Sequence, residues 1–328
     1  MVNLMEAQKP LLHFLVRRAG LQQHTVDVDG AGTVIALWLR KDKITAAAEA
    51  TVKQLPAPAA ETKKDRPAVV LVHGFNADGI ITWQFQMGAL AKHYDGYVPD
   101  LLYFGGSTSP SPNRSRGSRR IAWRKRSGSW ACTVVGFSYG GMVSFKLAEA
   151  HPDLVRSLVV SGAVPAMTDY ISETTLERIG VKSSAELLLP ESVKGLKALL
   201  SIVTYRKLWF PDRLHRDYLK VMFTNRKERA ELLEALVISN KDATVPILPQ
   251  VWPPRAPSIK ILLLWGENDK VFNIQLAKTM KEKLGEKTTL QSINKAGHLV
   301  HLERPCVYNR HLKKFLASVT TIKTTTEP

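Results

Sequence analysis

Short runs of apolar residues recur along the chain and alternate with segments of helical periodicity. Many of their positions are β-branched, and the runs are "AVVLVHGF" (68–75), "YVPDLLYFG" (97–105), "CTVVGFS" (132–138), "SLVVSGAV" (157–164), "IKILLLWGEND" (259–269) and "TTLQSINKAGH" (288–298). Continuous runs of this length are typical of strands that are buried on both faces. Helical patterns such as "GGMVSFKLAEAHP" separate most of them. The alternation predicts an α/β fold with a mostly parallel central sheet flanked by helices.

Residues 1–66 do not show this alternation of strands and helices and are treated as a separate region. Its opening has the pattern of an amphipathic helix, and two apolar runs follow at 24–29 and 32–39. Because Gly30-Ala31-Gly32 lies between these runs, they predict a β-hairpin. Residues 41–67 are rich in Ala, Pro and Lys and predict a solvated connection.

The alternation of strands and helices is also interrupted between Ser161 and Lys260. About a hundred residues there have helical periodicity and no strong strand signal. An insertion of this size predicts a helical cap, residues 165–254, over the carboxyl ends of the strands, where ligands bind in open α/β folds. The core would then comprise residues 67–164 and 255–320, and residues 321–328 a C-terminal tail. Trp209 and Phe210 in the cap are expected to line an acyl pocket, contact a membrane or belong to the cap's own core.

Composition excludes several classes of protein. The chain has 328 residues, of which 45% are hydrophobic and 23% are charged, as in an ordinary globular protein. No run approaches the roughly 18 apolar residues of a transmembrane helix, and the N-terminus lacks the pattern of a signal peptide. Two cysteines, Cys132 and Cys306, make no disulfide framework. We therefore expect a cytoplasmic protein, and since no metal-ligand cluster or phosphate loop is seen, no metal and no cofactor.

The net charge of +17 includes seven cations in one stretch, "NRSRGSRRIAWRKRSGSW" (113–130). Arginine interleaved with tryptophan suits phosphates, so one interpretation is a nucleic-acid or anionic-membrane patch. A second is a solvated loop. The preferred hypothesis is that the stretch is locally out of frame, because it has no apolar stripe where a core helix is expected. Sequencing the transcript across codons 110–132 tests this hypothesis. No specific nucleic-acid partner is expected.

The segment around Ser138 carries the strongest chemical signal. Gly136-Phe137-Ser138-Tyr139-Gly140 fits the pattern G-x-S-x-G, with a strand before it and a helix after it. At such an elbow the serine hydroxyl is exposed at a helix N-terminus, where the dipole favours negative charge. Small residues at Gly136 and Gly140 let the strand and helix approach closely. Ser138 is therefore a candidate nucleophile.

A nucleophilic serine needs a base, an acid that orients the base, and an oxyanion hole. Asp269 and His298 each follow a predicted strand, and the order Ser, acid, His is the one expected for this elbow. The backbone N–H groups of Phe75 and Tyr139 are the candidates for the oxyanion hole.

Other residues compete for these roles. Glu267 lies two residues before Asp269, and Asp169 follows an earlier strand. His301 competes with His298, but Ala296-Gly297 suits a close approach of His298 to the elbow, which makes His301 a structural or pocket residue. His73 is expected to shape its loop through hydrogen bonds rather than to act as a base.

The chain resembles the α/β-hydrolase superfamily, and within it the capped serine hydrolases. It is similar to plant proteins named after monoacylglycerol lipases, epoxide hydrolases and 2-hydroxymuconic semialdehyde hydrolases. The segments that carry the resemblance are "VLVHGF" (70–75), "WQFQMGAL" (83–90), "VPDLLYFG" (98–105), "VVGFSYGGMV" (134–143), "LLLWGENDKVF" (262–272) and "KAGHLVHLERP" (295–305). The resemblance implies that Ser138 is the nucleophile, Asp269 the acid and His298 the base.

A serine as the nucleophile restricts the reactions that the resemblance implies. Similar epoxide hydrolases and haloalkane dehalogenases have an aspartate at the elbow, whereas a serine implies acyl transfer to water. The expected substrate is a small-molecule ester or thioester with an apolar acyl part. Hydrolysis of a carbon–carbon bond by the same triad, and a non-catalytic receptor for a small ligand, are the alternatives. Weak contact with a membrane surface is a further expectation, and the oligomeric state is left open.

Overall fold

The structure, a computed structural model, describes residues 3–44, 66–110, 132–239 and 259–320. Its strands, in chain order, are β1 (Leu21–Asp27), β2 (Val34–Arg40), β3 (Ala68–Val72), β4 (Asp95–Pro99), β5 (Cys132–Phe137), β6 (Val155–Ser161), β7 (Met167–Thr168), β8 (Val237–Ile238), β9 (Lys260–Gly266) and β10 (Thr288–Ile293). Eight of them form one sheet in the order β1-β2-β4-β3-β5-β6-β9-β10. From β4 to β10 all neighbours are parallel, while β1 and β2 pair antiparallel as a hairpin, so the predicted sheet and hairpin are both confirmed.

Helices flank this sheet and also fill the interval between β6 and β9. They are α1 (Leu4–Arg18), α2 (Gly79–Leu90), α3 (Tyr139–Ala150), α4 (Asp169–Ile179), α5 (Ser184–Leu188), α6 (Val193–Val203), α7 (Asp212–Met222), α8 (Arg226–Glu234), α9 (Ile274–Leu284), α10 (Val300–Glu303) and α11 (Pro305–Thr320). Within the ranges described here, no helix is long and apolar enough to cross a bilayer.

The central strands are apolar on both faces because both faces are covered. On β3, Val70 and Val72 pack in one apolar cluster, while Val69 and Leu71 pack in the other. The other central strands alternate in the same way, and their residues are almost completely buried. The continuous apolar runs in the sequence therefore have a simple cause: successive side chains point to opposite covered faces.

Strand β4 includes only the first three residues of its apolar run. The run at 97–105 predicts a strand, but β4 ends at Pro99. The Asp100 carboxylate then accepts the N–H groups of Gly79 (2.9 Å) and Gly106 (3.0 Å), which turns the chain away from the sheet. Burial, with the nearby Asp78 carboxylate, raises the pKa of Asp100 to about 7.

The inserted segment is helical, as its periodicity predicts. Helices α4 to α8 span Asp169–Glu234, and β7 and β8 pair in a two-stranded parallel sheet that the sequence did not indicate. The basic stretch 113–130 and most of the Ala/Pro/Lys-rich connection lie outside the described residues, as do residues 240–258 and the tail.

Helix α1 connects the N-terminal region to the inserted helices. Asn3 caps it by accepting the N–H groups of Met5 and Glu6, and Val16 is buried on its inner face. The Leu4 N–H donates to the buried carboxylate of Asp217 in α7 (2.9 Å). The hairpin, α1 and the inserted helices are thus in direct contact.

Two glycines give a matched test of how tightly helices pack on the sheet. A Cβ at Gly140, near the start of α3, would overlap the backbone carbonyl groups of Val72 and His73, whereas Gly88 in α2 has open space. Gly140→Ala should lower the free energy of unfolding by about 3 kcal/mol, because backbone must move. Gly88→Ala should raise it by about 0.5–1 kcal/mol, since alanine favours helix. Urea unfolding measures both, and equal effects would contradict the close approach at Gly140.

Candidate active site

Ser138 lies in a strained turn between β5 and α3. Its backbone angles are φ 52° and ψ −122°, a region that non-glycine residues rarely adopt. The turn is held because the Ser138 N–H donates to the carbonyl of Ser161 on the neighbouring strand (2.9 Å) and the Ser138 carbonyl accepts from Gly141 (2.8 Å). A side chain at Gly136 would meet Gly141 within 2.7 Å, so only glycine allows this packing.

The structure brings Ser138, His298 and Asp269 into one hydrogen-bonded chain. The Nε2 atom of His298 lies 3.1 Å from the Ser138 Oγ, and its Nδ1 atom lies 2.9 Å from Oδ2 of Asp269. With a proton on Nδ1 donated to the carboxylate, Nε2 is left as the acceptor for the serine hydroxyl. The arrangement is thus able to take the proton from Ser138 and to stabilise the resulting imidazolium.

These residues meet because each follows the carboxyl end of a parallel strand. Ser138 follows β5, Asp269 follows β9 and His298 follows β10, and one helix and one strand separate the last two. His298 and Asp269 are both buried. Gly162, which follows β6 at φ 54°, lies under the imidazole, where a Cβ would come within 2.8 Å of the ring.

Asp269 is oriented by the backbone on the side away from the histidine. Its Oδ1 atom accepts the N–H groups of Val271 (2.8 Å) and Phe272 (2.9 Å). The competing acid Glu267 is exposed, and Asp169 lies in the first turn of α4, in the insertion. Of the three acids, Asp269 is the one hydrogen-bonded to His298.

The other two candidate histidines are buried without charge. His73 accepts the Leu101 N–H at Nε2 (2.8 Å) and donates from Nδ1 to the carbonyl of Gly74 (2.6 Å), so it ties two loops together. Burial lowers its pKa to about 4. Burial, with the nearby His298, lowers the pKa of His301 to about 3, and its ring packs 4.3 Å from the ring of Phe137. The histidine that contacts the Ser138 hydroxyl is His298, and neither His73 nor His301 is hydrogen-bonded to it.

A cavity of about 160 Å³ opens beside Ser138. The core contributes Phe75, Tyr139 and the residues around them, while leucines of the inserted helices, such as Leu187 and Leu196, close the other side. Phe75 and Tyr139 thus both lie at the cavity, and their rings are 6.0 Å apart in an edge contact. Tyr139 is the first residue of α3, at the positive end of the helix dipole.

Two polar residues line this apolar cavity with unpaired atoms: Asn76, which the sequence did not indicate, and His301, which was expected to be a structural or pocket residue. The Asn76 Oδ1 atom and both ring nitrogens of His301 are buried without a hydrogen-bond partner, and both residues line the cavity. Buried polar atoms are usually paired, so these are candidate partners for a polar group of a ligand. The only signal for Asn76 in the sequence is its position directly after Phe75.

Glu303 is a further residue that the sequence analysis missed. Its carboxylate accepts the N–H of Gly297 (2.6 Å), directly before His298, and the N–H of Tyr205 (2.7 Å), after α6. It therefore joins the histidine loop to the inserted helices. This contact spans about a hundred residues of chain, so no local pattern indicates it.

Known proteins with similar sequences and structures point to one superfamily. The sequence pattern of the alpha/beta hydrolase fold family matches residues 67–183. The chain is 26% identical over 272 residues to "Epoxide hydrolase 3" from Xenopus tropicalis, covering 77% of this chain and 72% of that protein. It is 24% identical over 189 residues to a "2-hydroxy-6-oxononadienedioate/2-hydroxy-6-oxononatrienedioate hydrolase" from a Pseudomonas species, covering 56% and 62%.

A crystal structure of a bacterial membrane phospholipase A, described as a virulence factor, has the same fold. The TM-score is 0.70, the sequence identity is 24%, and the match covers 97% of this chain and 91% of that one. The parallel sheet, the serine elbow between β5 and α3 and these matches agree, and they show that the chain has the α/β-hydrolase fold.

Proposed function

We propose that this α/β hydrolase is a serine esterase that cleaves a carboxylic ester or thioester of modest size with an apolar acyl part. The observation that carries the proposal is the chain of hydrogen bonds from Ser138 through His298 to Asp269, open to an apolar cavity. In this proposal Ser138 is the nucleophile, His298 the general base and acid, and Asp269 the group that orients the histidine.

The reaction proceeds in two halves. His298 Nε2 takes the proton of Ser138 as Oγ attacks the carbonyl carbon, and the oxyanion accepts hydrogen bonds from the N–H groups of Phe75 and Tyr139. The imidazolium then gives its proton to the departing alcohol or thiol, which leaves an acyl ester on Ser138. Water attacks this ester with His298 again as base, and the free acid leaves. The strained turn at Ser138 holds the hydroxyl in place for both steps.

The inserted helices act as a cap in this proposal. Their leucines close the cavity over Ser138 and exclude water, which strengthens the hydrogen bonds to the oxyanion. Asn76 and His301 would receive the polar part of the substrate. Both sides of the site, sheet and cap, thus contribute to substrate choice.

The serine argues against epoxide hydrolysis, although a relative bears that name. Attack of Ser138 on an epoxide carbon would form an alkyl ether on the enzyme. Unlike an acyl ester, an ether has no carbonyl group that water could attack in a second half-reaction. The triad therefore suits acyl transfer.

Carbon–carbon bond hydrolysis is the second candidate, because it is the activity named for the Pseudomonas relative. That name describes a dicarboxylate substrate. No lysine or arginine is present among the described residues that line the cavity, so a dicarboxylate would find no cationic partner there. The cavity therefore favours an uncharged ester. The third alternative, a receptor that binds a small ligand without hydrolysing it, is distinguished from an esterase by measuring turnover.

Replacing the proposed nucleophile tests the reaction. Ser138→Ala should lower kcat for p-nitrophenyl butyrate by at least about 10⁴-fold, because no acyl-enzyme can form. Ser172→Ala is the matched control: Ser172 also lines the cavity but has no histidine partner, so kcat should change little. Folded wild-type protein with no turnover of any ester would support the receptor alternative.

The identity of the acid is tested by a pair of neighbouring carboxylates. Asp269→Asn should lower kcat about 10⁴-fold, since the amide no longer favours the histidine tautomer that accepts the serine proton. Glu267→Gln should leave kcat near the wild-type value, because Glu267 is exposed. Stopped assays at saturating substrate measure kcat for both variants. A larger loss of kcat in Glu267→Gln than in Asp269→Asn would assign Glu267 as the acid.

The size of the cavity predicts acyl-chain preference. Its volume of about 160 Å³ is below the roughly 300–1,000 Å³ of sites for drug-sized ligands. kcat/KM should therefore be higher for p-nitrophenyl acetate and butyrate than for the palmitate, measured below the solubility limit of each ester. A preference for palmitate would show that the cap opens widely or that the acyl chain binds elsewhere.

A further inference from the structure

Helix α1 carries an apolar stripe that faces solvent. Leu11, Phe14 and Leu15 are 60%, 58% and 51% exposed, and Leu4 is exposed too. At 100° per residue, positions 4, 7, 11, 14, 15 and 18 fall on one side of the helix, away from the buried Val16. The stripe ends at the exposed Arg18, next to Arg17. This helix is thus apolar on an inner face that packs and on an outer face that nothing in the described protein covers.

A second exposed apolar element lies beside the active site. Residues 205–210, "YRKLWF", are all exposed, and Trp209 reaches 84%. At the start of this segment, the Tyr205 N–H donates to the Glu303 carboxylate. The same carboxylate accepts the N–H of Gly297, the residue directly before His298. Among the described residues, neither Trp209 nor Phe210 lines the cavity or belongs to the apolar core. The structure therefore does not support a role in an acyl pocket or in the core of the cap, which leaves the expected contact with a membrane.

Both elements are attached to the same helix, α7. The Leu4 N–H at the start of α1 donates to Asp217, and the Phe210 ring lies 6.1 Å from the ring of His215. Asp217 and His215 are two residues apart and therefore point to opposite sides of α7, so the two elements flank this helix. We call the outer stripe of α1 and residues 205–210 together the docking face.

The charges around the docking face select its partner. Along α1 and residues 205–216 there are six exposed basic residues (Arg17, Arg18, Arg206, Lys207, Arg213 and Arg216), while the exposed acidic residues are Glu6 and Asp212. Exposed apolar side chains flanked by lysine and arginine are the pattern of a helix that lies in the interface of an anionic bilayer. A second copy of the chain, with a net charge of +17, would be repelled.

We propose that the docking face binds the protein peripherally to an anionic lipid surface. Leu11, Phe14, Leu15 and Trp209 enter the boundary between headgroups and acyl chains, while the arginines and lysines contact lipid phosphates. Because residues 205–210 are joined through Glu303 to the His298 loop, the bound protein holds its active site at the membrane surface. This binding is independent of the proposed reaction and is measured without substrate.

Co-sedimentation with vesicles tests the proposal. Wild-type protein should pellet with vesicles of equimolar phosphatidylcholine and phosphatidylserine, and not with phosphatidylcholine alone. The variant that combines Leu11→Ser, Phe14→Ser and Trp209→Ser should lose about tenfold or more in its partition coefficient, because its apolar anchors are gone. Tyr170→Ser is the control: Tyr170 is 65% exposed but lies outside the docking face, so binding should match the wild type.

A second readout separates the docking face from basic residues elsewhere in the chain. Vesicles with brominated acyl chains should quench the tryptophan fluorescence of the wild type, and Trp209→Phe should remove most of this quenching while binding persists. Circular dichroism checks that each variant is folded.

Three results would overturn the proposal. These are no binding of wild type to anionic vesicles, undiminished binding of the folded triple variant, and a dimer in ultracentrifugation that the triple variant abolishes. The last would assign the face to a second copy.

Discussion

The close approach of the start of α3 to the end of β3 is the constraint on which the site depends. Gly140 lies against the backbone carbonyl groups of Val72 and His73, and Gly136 against Gly141. This packing forces Ser138 into an unfavourable backbone region and keeps it there. Because β5 is central in the sheet, the carboxyl ends of β6, β9 and β10 lie to one side of the serine and that of β3 to the other. Each loop that follows then delivers one part of the site.

Much of this arrangement follows from sequence because parallel strands impose it. Apolar runs predict the strands, and a polar residue just after each run must lie at the same edge of the sheet. This rule predicts Ser138, Asp269 and His298 as neighbours, and the structure places them in hydrogen-bonding contact. The serine elbow also has its own local pattern, since glycine is required at two points.

Other features could not be predicted because they depend on contacts between distant loops. Glu303 joins segments that are about a hundred residues apart. The strand predicted over 97–105 ends early because the Asp100 carboxylate accepts the N–H groups of Gly79, at the start of α2, and of Gly106, in its own loop. Helix α1 shows a different limit. Its pattern predicts an amphipathic helix, but only packing against the hairpin and α2 reveals that Val16 is buried while Leu11 and Phe14 face solvent.

Mapping the adduct of a fluorophosphonate probe is the most direct measurement of whether Ser138 is an activated nucleophile. The probe reacts with serines whose hydroxyl has a base beside it, so intact mass and peptide mass spectrometry report activation without a known substrate. We expect one adduct per chain, located on Ser138 and strongly slowed in Asp269→Asn. Folded protein that forms no adduct, or forms it on another serine, would contradict the catalytic account of this elbow.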